Sequence, residues 1–258
     1  MPIHDPHAVR IVPAKAFQEE PLAEARLTGR QLTYRSGPLL TAVEIFTLFW
    51  GSAWRGSEAS LVGQINQFFQ YIVTSPLIDQ LAEYSTPSLS IGHGSFAGTQ
   101  TITDSEPGPS ISDSGIQTFL TGHSAASEAF KGAESPAAPA TSNRLVFLYL
   151  PPGTAVSMGG SASCTGFCGY HSDMNGEKFY AVMPFPSCSG CTGGLTTFEA
   201  LTSTSSHELC EAITDPIAGS GWYNNQHGEI GDLCAWQTKK LGVYTVQKEW
   251  SNAAKACV

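Results

Sequence analysis

Charge is what this sequence has least of. Charged residues occupy 14% of the 258 positions, about half the usual share for a soluble domain. Cations are the scarcer kind, with 13 Lys and Arg against 22 Asp and Glu. The net charge of −9 argues against a nucleic-acid or anionic-membrane partner, because both need a basic surface that releases counterions. No apolar run approaches the ~18 residues of a bilayer span. Neither a phosphate-binding P-loop nor a dinucleotide fingerprint occurs. His93 with Ser95, and His123 with Ser124, lack the G-x-S-x-G elbow that would support a serine nucleophile, and no internal repeat is visible. In place of charge stand 26 Gly, 16 Pro, 28 Ser and 22 Thr. Hydrophobic residues at 41% and aromatics at 10% suffice for a buried core.

Seven cysteines define the compartment question. Cys164, Cys168, Cys188 and Cys191 have C-x3-C and C-x2-C spacings that suit a tetrahedral zinc knuckle in a reducing compartment. In an oxidising one they pin loops that lack apolar content, together with Cys234 and Cys257. Low charge with abundant Ser, Thr and Gly favours the exported, disulfide-bonded reading, with connectivity open and Cys210, on a helix among apolar neighbours, left unpaired. Met1 to Phe17 shows no basic-then-apolar leader. An exported protein therefore has its signal peptide outside this chain; an intracellular one would keep its thiols reduced.

Residues 1–35, with Pro2, Pro6, Pro13 and Pro21, read as an extended arm resembling a pro-segment, ahead of a single domain over 36–258. Ala42 to Trp50 (AVEIFTLFW) predicts a buried strand. Ser57 to Val73 predicts an amphipathic helix whose aromatics belong to the core. Ser88 to Ile91 and Thr99 to Thr103 suggest a strand pair, Asp113 to Phe130 a helix, and Lys131 to Asn143 a surface loop. Leu145 to Leu150 and Lys178 to Met183 predict two more strands, with a Cys/Gly loop between them. Leu195 to Ile213 returns to helical spacing and stops before Asp215-Pro216, since the residue ahead of proline is driven out of helical φ/ψ. A hairpin is expected near Val243 to Trp250. Strands and helices intermix, so the fold class is α/β or α+β, with a cysteine-containing C-terminal part.

The chemistry concentrates in Ser206-His207-Glu208-Leu209-Cys210-Glu211. On a helix, His207 and Glu211 stand at i and i+4 on one face, where an imidazole and a carboxylate grip one divalent ion. Glu208 lies on the flank, placed to act on a water as general base. This is the logic of H-E-x-x-H hydrolases with Glu in the second ligand position. Asp215 lies ~12 Å further along a straight helix axis, whereas Glu229 and Asp232 follow a glycine-rich turn. Glu229 is the expected third ligand, with Asp232 or Asp215 orienting His207 from behind. Tyr223 or His227 would stabilise an oxyanion. The mixed nitrogen–oxygen set suits zinc, with manganese admissible. His171, after Cys168-Gly169-Tyr170, is expected to be a structural loop histidine. The bland alternative is a helix end carrying two solvated acids and a capping Asp.

Ser36-Gly37-Pro38-Leu39-Leu40-Thr41, running into Phe49-Trp50-Gly51, resembles the opening of the EXORDIUM-like, phosphate-induced protein family. So do Phe167-Cys168-Gly169-Tyr170-His171, the Cys188-x-x-Cys191 pair, Thr214-Asp215-Pro216 before Gly221-Trp222-Tyr223, and the closing Ala256-Cys257. The resemblance implies export and disulfides. Plant members are secreted cell-wall proteins linked to growth and lack the His-Glu pair found here at His207-Glu208. In that pair this chain looks like bacterial relatives read as zincin-type metallopeptidases. The expected protein is thus a secreted, monomeric, zincin-like metallopeptidase acting on peptide or protein substrates. The alternative is a non-catalytic, disulfide-stabilised extracellular binding protein, and a third option is a purely structural metal site.

Overall fold

The computed structural model describes residues 11–14, 30–131 and 143–258. Its strands are β1 (Ile11–Pro13), β2 (Thr33–Tyr34), β3 (Glu44–Trp50), β4 (Ser95–Ile102), β5 (Ser110–Ser112), β6 (Arg144–Tyr149), β7 (Ala155–Met158), β8 (Ser161–Ala162), β9 (Phe167–Met174) and β10 (Lys178–Met183), followed by β11 (Trp222–Tyr223), β12 (Thr238–Leu241), β13 (Tyr244–Gln247), β14 (Trp250–Ser251) and β15 (Ala256–Cys257). The helices are α1 (Ala59–Ile72), α2 (Pro76–Leu81), α3 (Asp113–Gly122), α4 (Ser124–Glu128), α5 (Ser189–Thr192) and α6 (Thr197–Thr214).

A six-stranded mixed sheet in the order β1-β9-β10-β6-β3-β4 forms the centre. The run β10-β6-β3-β4 is parallel, and β9 and β1 close one side antiparallel. Its central strands are covered on both faces, which explains why β3, β6 and β10 read as continuous apolar runs rather than alternating ones. On one face Ile45, Phe49, Phe147, Tyr149, Phe179 and Ala181 pack against α1, α2 and α6. On the other, Leu48, Val146, Leu148, Tyr180 and Val182 pack against α3 and α4. The fold is therefore mixed α/β with helices on both sides of the sheet. No helix among the described residues is long and apolar enough to cross a membrane.

Several boundaries differ from the expectations. The Ser88 to Ile91 stretch forms no strand, because hydroxyls capture its backbone: Thr86 Oγ1 accepts from Leu89 N–H (3.0 Å) and Ser85 Oγ from Ile91 N–H (2.9 Å). Such local bonds compete with a sheet ladder, and the strand starts at Ser95. The single helix expected over Asp113 to Phe130 breaks at His123, which is extended (φ −82°, ψ 125°), into α3 and α4. The expected C-terminal hairpin turns at Gly242-Val243 between β12 and β13, while β14 pairs with β15 instead.

The stretch between Leu150 and Lys178 is not only loop. It holds β7, β8 and β9, and β9 pairs with β10 along Lys178↔Met174 to Val182↔Tyr170. Asn175 and Gly176 take the positive φ values of the connecting turn (58° and 71°), and Asp173 Oδ2 accepts the Gly176 N–H at 2.7 Å. Most of the surface loop expected at Lys131 to Asn143, and most of the 1–35 arm, lie outside the described residues. Of the arm, Ile11–Pro13 forms the β1 edge strand and Thr33–Tyr34 pairs with β11.

The cysteines are disulfide-bonded as Cys164–Cys188, Cys168–Cys191 and Cys234–Cys257. The first four therefore bridge crosswise between the two motifs, in place of a zinc knuckle. Cys210 is free and buried.

Candidate metal centre

Helix α6 supplies three side chains. Thr196 starts it with a capping box: its Oγ1 accepts the Glu199 N–H, and the Glu199 carboxylate accepts the Thr196 N–H. From Ala200 to Thr214 every residue of the helix is buried. Hydroxyls along it find partners, as Ser206 does by donating to Ser203 O (2.8 Å) while accepting Gln247 N–H (2.9 Å). At its C-terminal end His207 and Glu211 stand one turn apart on one face, with Nε2 2.9 Å from Oε1.

Strand β9 supplies a fourth. His171 lies opposite Ala181 in the sheet and so shares the face that packs on α6. Its Nδ1 is 3.0 Å from Glu208 Oε2 and 3.6 Å from Glu211 Oε2. Its Nε2 is 3.2 Å from the Asp215 carbonyl and 3.5 Å from Glu229 Oε1. The loop-histidine reading of His171 is thus overturned: it belongs to a sheet strand and to the cluster. The close approach depends on Gly169, where a Cβ would lie 2.6 Å from Thr204 Cγ2 of α6.

The acidic loop after β11 closes the site. Glu229 N–H donates to Asp232 Oδ2 (3.0 Å) and Asp232 N–H donates to Glu211 Oε1 (3.1 Å). Gly231 lies flat on His207, and a Cβ there would sit 2.7 Å from Nδ1. The structure groups His207 with Glu208 and Glu211, and Glu229 with His171 and Glu211, so the expected ligands His207, Glu211 and Glu229 do not meet in one set. It gives Asp215 a different task. The Asp215 carboxylate accepts from the N–H groups of Gly219 (2.6 Å), Ser220 (2.9 Å) and Gly221 (2.5 Å), and its carbonyl, not its carboxylate, meets an imidazole. Asp232 likewise turns its carboxylate to the Glu229 amide. Tyr223 sits in β11 with the Arg35 guanidinium 4.4 Å over its ring. The half-turn at His227 is held by Asn224 Oδ1, and burial and then Arg30 keep its imidazole below the usual range. His93 and His123 pair with Asp79 (2.8 Å) and Asp104 (3.1 Å).

Glu249 is the residue the sequence reading did not name. It adjoins β14, is 0% exposed, and neither carboxylate oxygen has a hydrogen-bond partner among the described residues. Its charge acts on His207 and Lys239. The only sequence signal for it was an acid set between the apolar hairpin and Trp250.

His171, His207, Glu208, Glu211 and Glu229 are each 0% exposed. His207 Nδ1 and Nε2, Glu208 Oε1, Glu211 Oε2 and both Glu229 oxygens lack hydrogen-bond partners among the described residues. Buried polar atoms are ordinarily paired, and buried carboxylates without a counter-charge are driven toward the neutral acid. Burial pushes Glu229 and Glu249 well above the usual carboxylate range, and raises Glu208. Burial also opposes charge on His171 and Glu211, but their ion pairs win: Glu208 lifts His171 to about 9, and His207 draws Glu211 down. His171 faces acceptors on both ring nitrogens, so either a second proton or a cation must occupy the Nδ1 side. In each of two groups, His171–Glu211–Glu229 and His207–Glu208–Glu211, one donor atom per residue lies within 4.8 Å of the others, and the donor chemistry and burial fit a divalent cation.

Comparison with protein-family models and with curated proteins finds no match to this chain.

Proposed function

We propose that this is an exported metal-dependent peptidase of the zincin-like, EXORDIUM-related kind foreshadowed by its motifs. The observation that carries the reading is the convergence of two imidazoles and three carboxylates, from α6, β9 and the 228–232 loop, all out of solvent, with Glu208 Oε1, Glu211 Oε2 and both Glu229 oxygens lacking hydrogen-bond partners among the described residues. His171, Glu211 and Glu229 would hold the cation, zinc or manganese by donor chemistry, with His207 paired to Glu211 beside it. Such an ion supplies Lewis acidity and brings the pKa of a water toward ~7.

The protein's own groups do the rest. Glu208 Oε1 is free to accept a proton from the attacking water and return it to the departing amine. The Asp215 carbonyl takes the His171 Nε2–H and sets the ring tautomer, the arrangement that steadies ligating histidines elsewhere. Three disulfides support the exported setting.

The complete burial of the five side chains favours a second reading, a structural cation that ties α6 to β9 and the acidic loop. One experiment separates them. Metal content by plasma mass spectrometry is measured on the purified chain, alongside casein digestion with and without chelator and in Glu208→Gln. Cleavage that chelator and Glu208→Gln both abolish, with the ion retained in the variant, is expected. Bound metal without cleavage leaves the structural ion. Neither metal nor cleavage leaves a non-catalytic extracellular binding protein.

A further inference from the structure

The cluster divides into two ligand sets that share one residue. His207, Glu208 and Glu211 bring one donor atom each to within 4.8 Å of one another, and so do His171, Glu211 and Glu229. We propose that the centre is dinuclear, holding two divalent cations bridged by the Glu211 carboxylate. This rests on the metal-site reading above, specifies its nuclearity and makes Glu208 a ligand of the second ion.

The two oxygens of Glu211 face different imidazoles. Oε1 lies 2.9 Å from His207 Nε2 and Oε2 lies 3.6 Å from His171 Nδ1. A carboxylate so placed, one oxygen per histidine, is the bridging ligand of sites whose ions stand ~3.5–4 Å apart. Oxygens without hydrogen-bond partners among the described residues occur in both halves: Glu208 Oε1 in one, Glu211 Oε2 and both Glu229 oxygens in the other.

The oxygen-rich donor set suits manganese, and the imidazoles admit zinc.

The test uses the full chain reconstituted with Mn2+ and freed of excess metal. Mass-spectrometric stoichiometry of about two ions per chain is expected, with a spin-coupled multiline electron paramagnetic resonance signal. Glu229→Gln should lower the stoichiometry to about one and return the six-line spectrum of an isolated ion, with circular dichroism confirming its fold. One ion per wild-type chain, or two ions without coupling, overturns the bridged centre and leaves the single-ion reading standing. No bound ion overturns both.

Discussion

The imidazole of His171 and the carboxylate of Glu208, 37 residues apart in sequence, meet at 3.0 Å between strand β9 and helix α6 with neither side chain exposed to solvent. That contact joins the sheet to the helix at the place where the acidic loop arrives. It makes His171 as integral to the centre as the helix pair His207 and Glu211.

Removing that ring should therefore abolish the site, not merely weaken it. His171→Ala is expected to cost at least ~100-fold in cation affinity, beyond the range for loss of an orienting partner alone. Competition against a coloured chelator measures this. Affinity within threefold of wild type would show that His171 only braces Glu208.

Stripping the cation should soften the whole domain, because a ligand that binds only the folded state stabilises by mass action. At a free-ion level 100 times Kd the loss is ~2.7 kcal/mol, a fall in Tm of roughly 5–10 °C for a chain of this size. Melts with and without chelator provide the comparison. Coincident curves would contradict a bound ion.

The start of α6 should respond to acid. Lys240, followed by the Thr196 backbone and hydroxyl, holds Glu199 at about 2, below its ordinary 4.5. A depressed folded-state value gives stabilisation that is present above 4.5 and lost as pH falls through about 2. Glu199→Gln should flatten the Tm profile over that window. Thr196→Ala should cost ~1 kcal/mol at neutral pH through the lost cap.

Gly231→Ala should damage the centre from behind. Its Cβ would press on the His207 ring at 2.7–2.8 Å, an overpacking that typically costs ~1–3 kcal/mol, and the ring that must give way carries a proposed ligand. Gly63→Ala is the matched control. It lies within α1 with open space around a Cβ and should be stabilising by ~0.5–1 kcal/mol. Equal behaviour of the two variants in melting and ion affinity would remove Gly231 from the site.

The chain announced some of these elements and concealed others, for physical reasons. Strands β3, β6 and β10 were legible because burial on both faces makes them unbroken apolar runs. Helix α6 was legible from its apolar spacing and the proline beyond it. Strand β9 was hidden because it spends its positions on Cys168, Gly169, His171, Ser172 and Asp173, each chosen for a bridge, a close approach or a site and none for β propensity. Its best signal was the Asn175-Gly176 turn, a recognised hairpin mark. The helical pair His207 and Glu211 followed from 3.6-residue geometry. Glu249 had no such periodicity, since its partners come from other elements, and only tertiary packing shows it to be buried.

Cys234 stands five residues after Glu229, in the short turn Asp232–Cys234, and its partner is Cys257 on β15. The acidic loop is therefore staked down by a bond that cannot form until residue 257 has left the ribosome and entered an oxidising compartment. Uptake of the proposed cation would then be a late step of maturation: the helix ligands would be presented early, and the loop ligand would reach its final place only after oxidation.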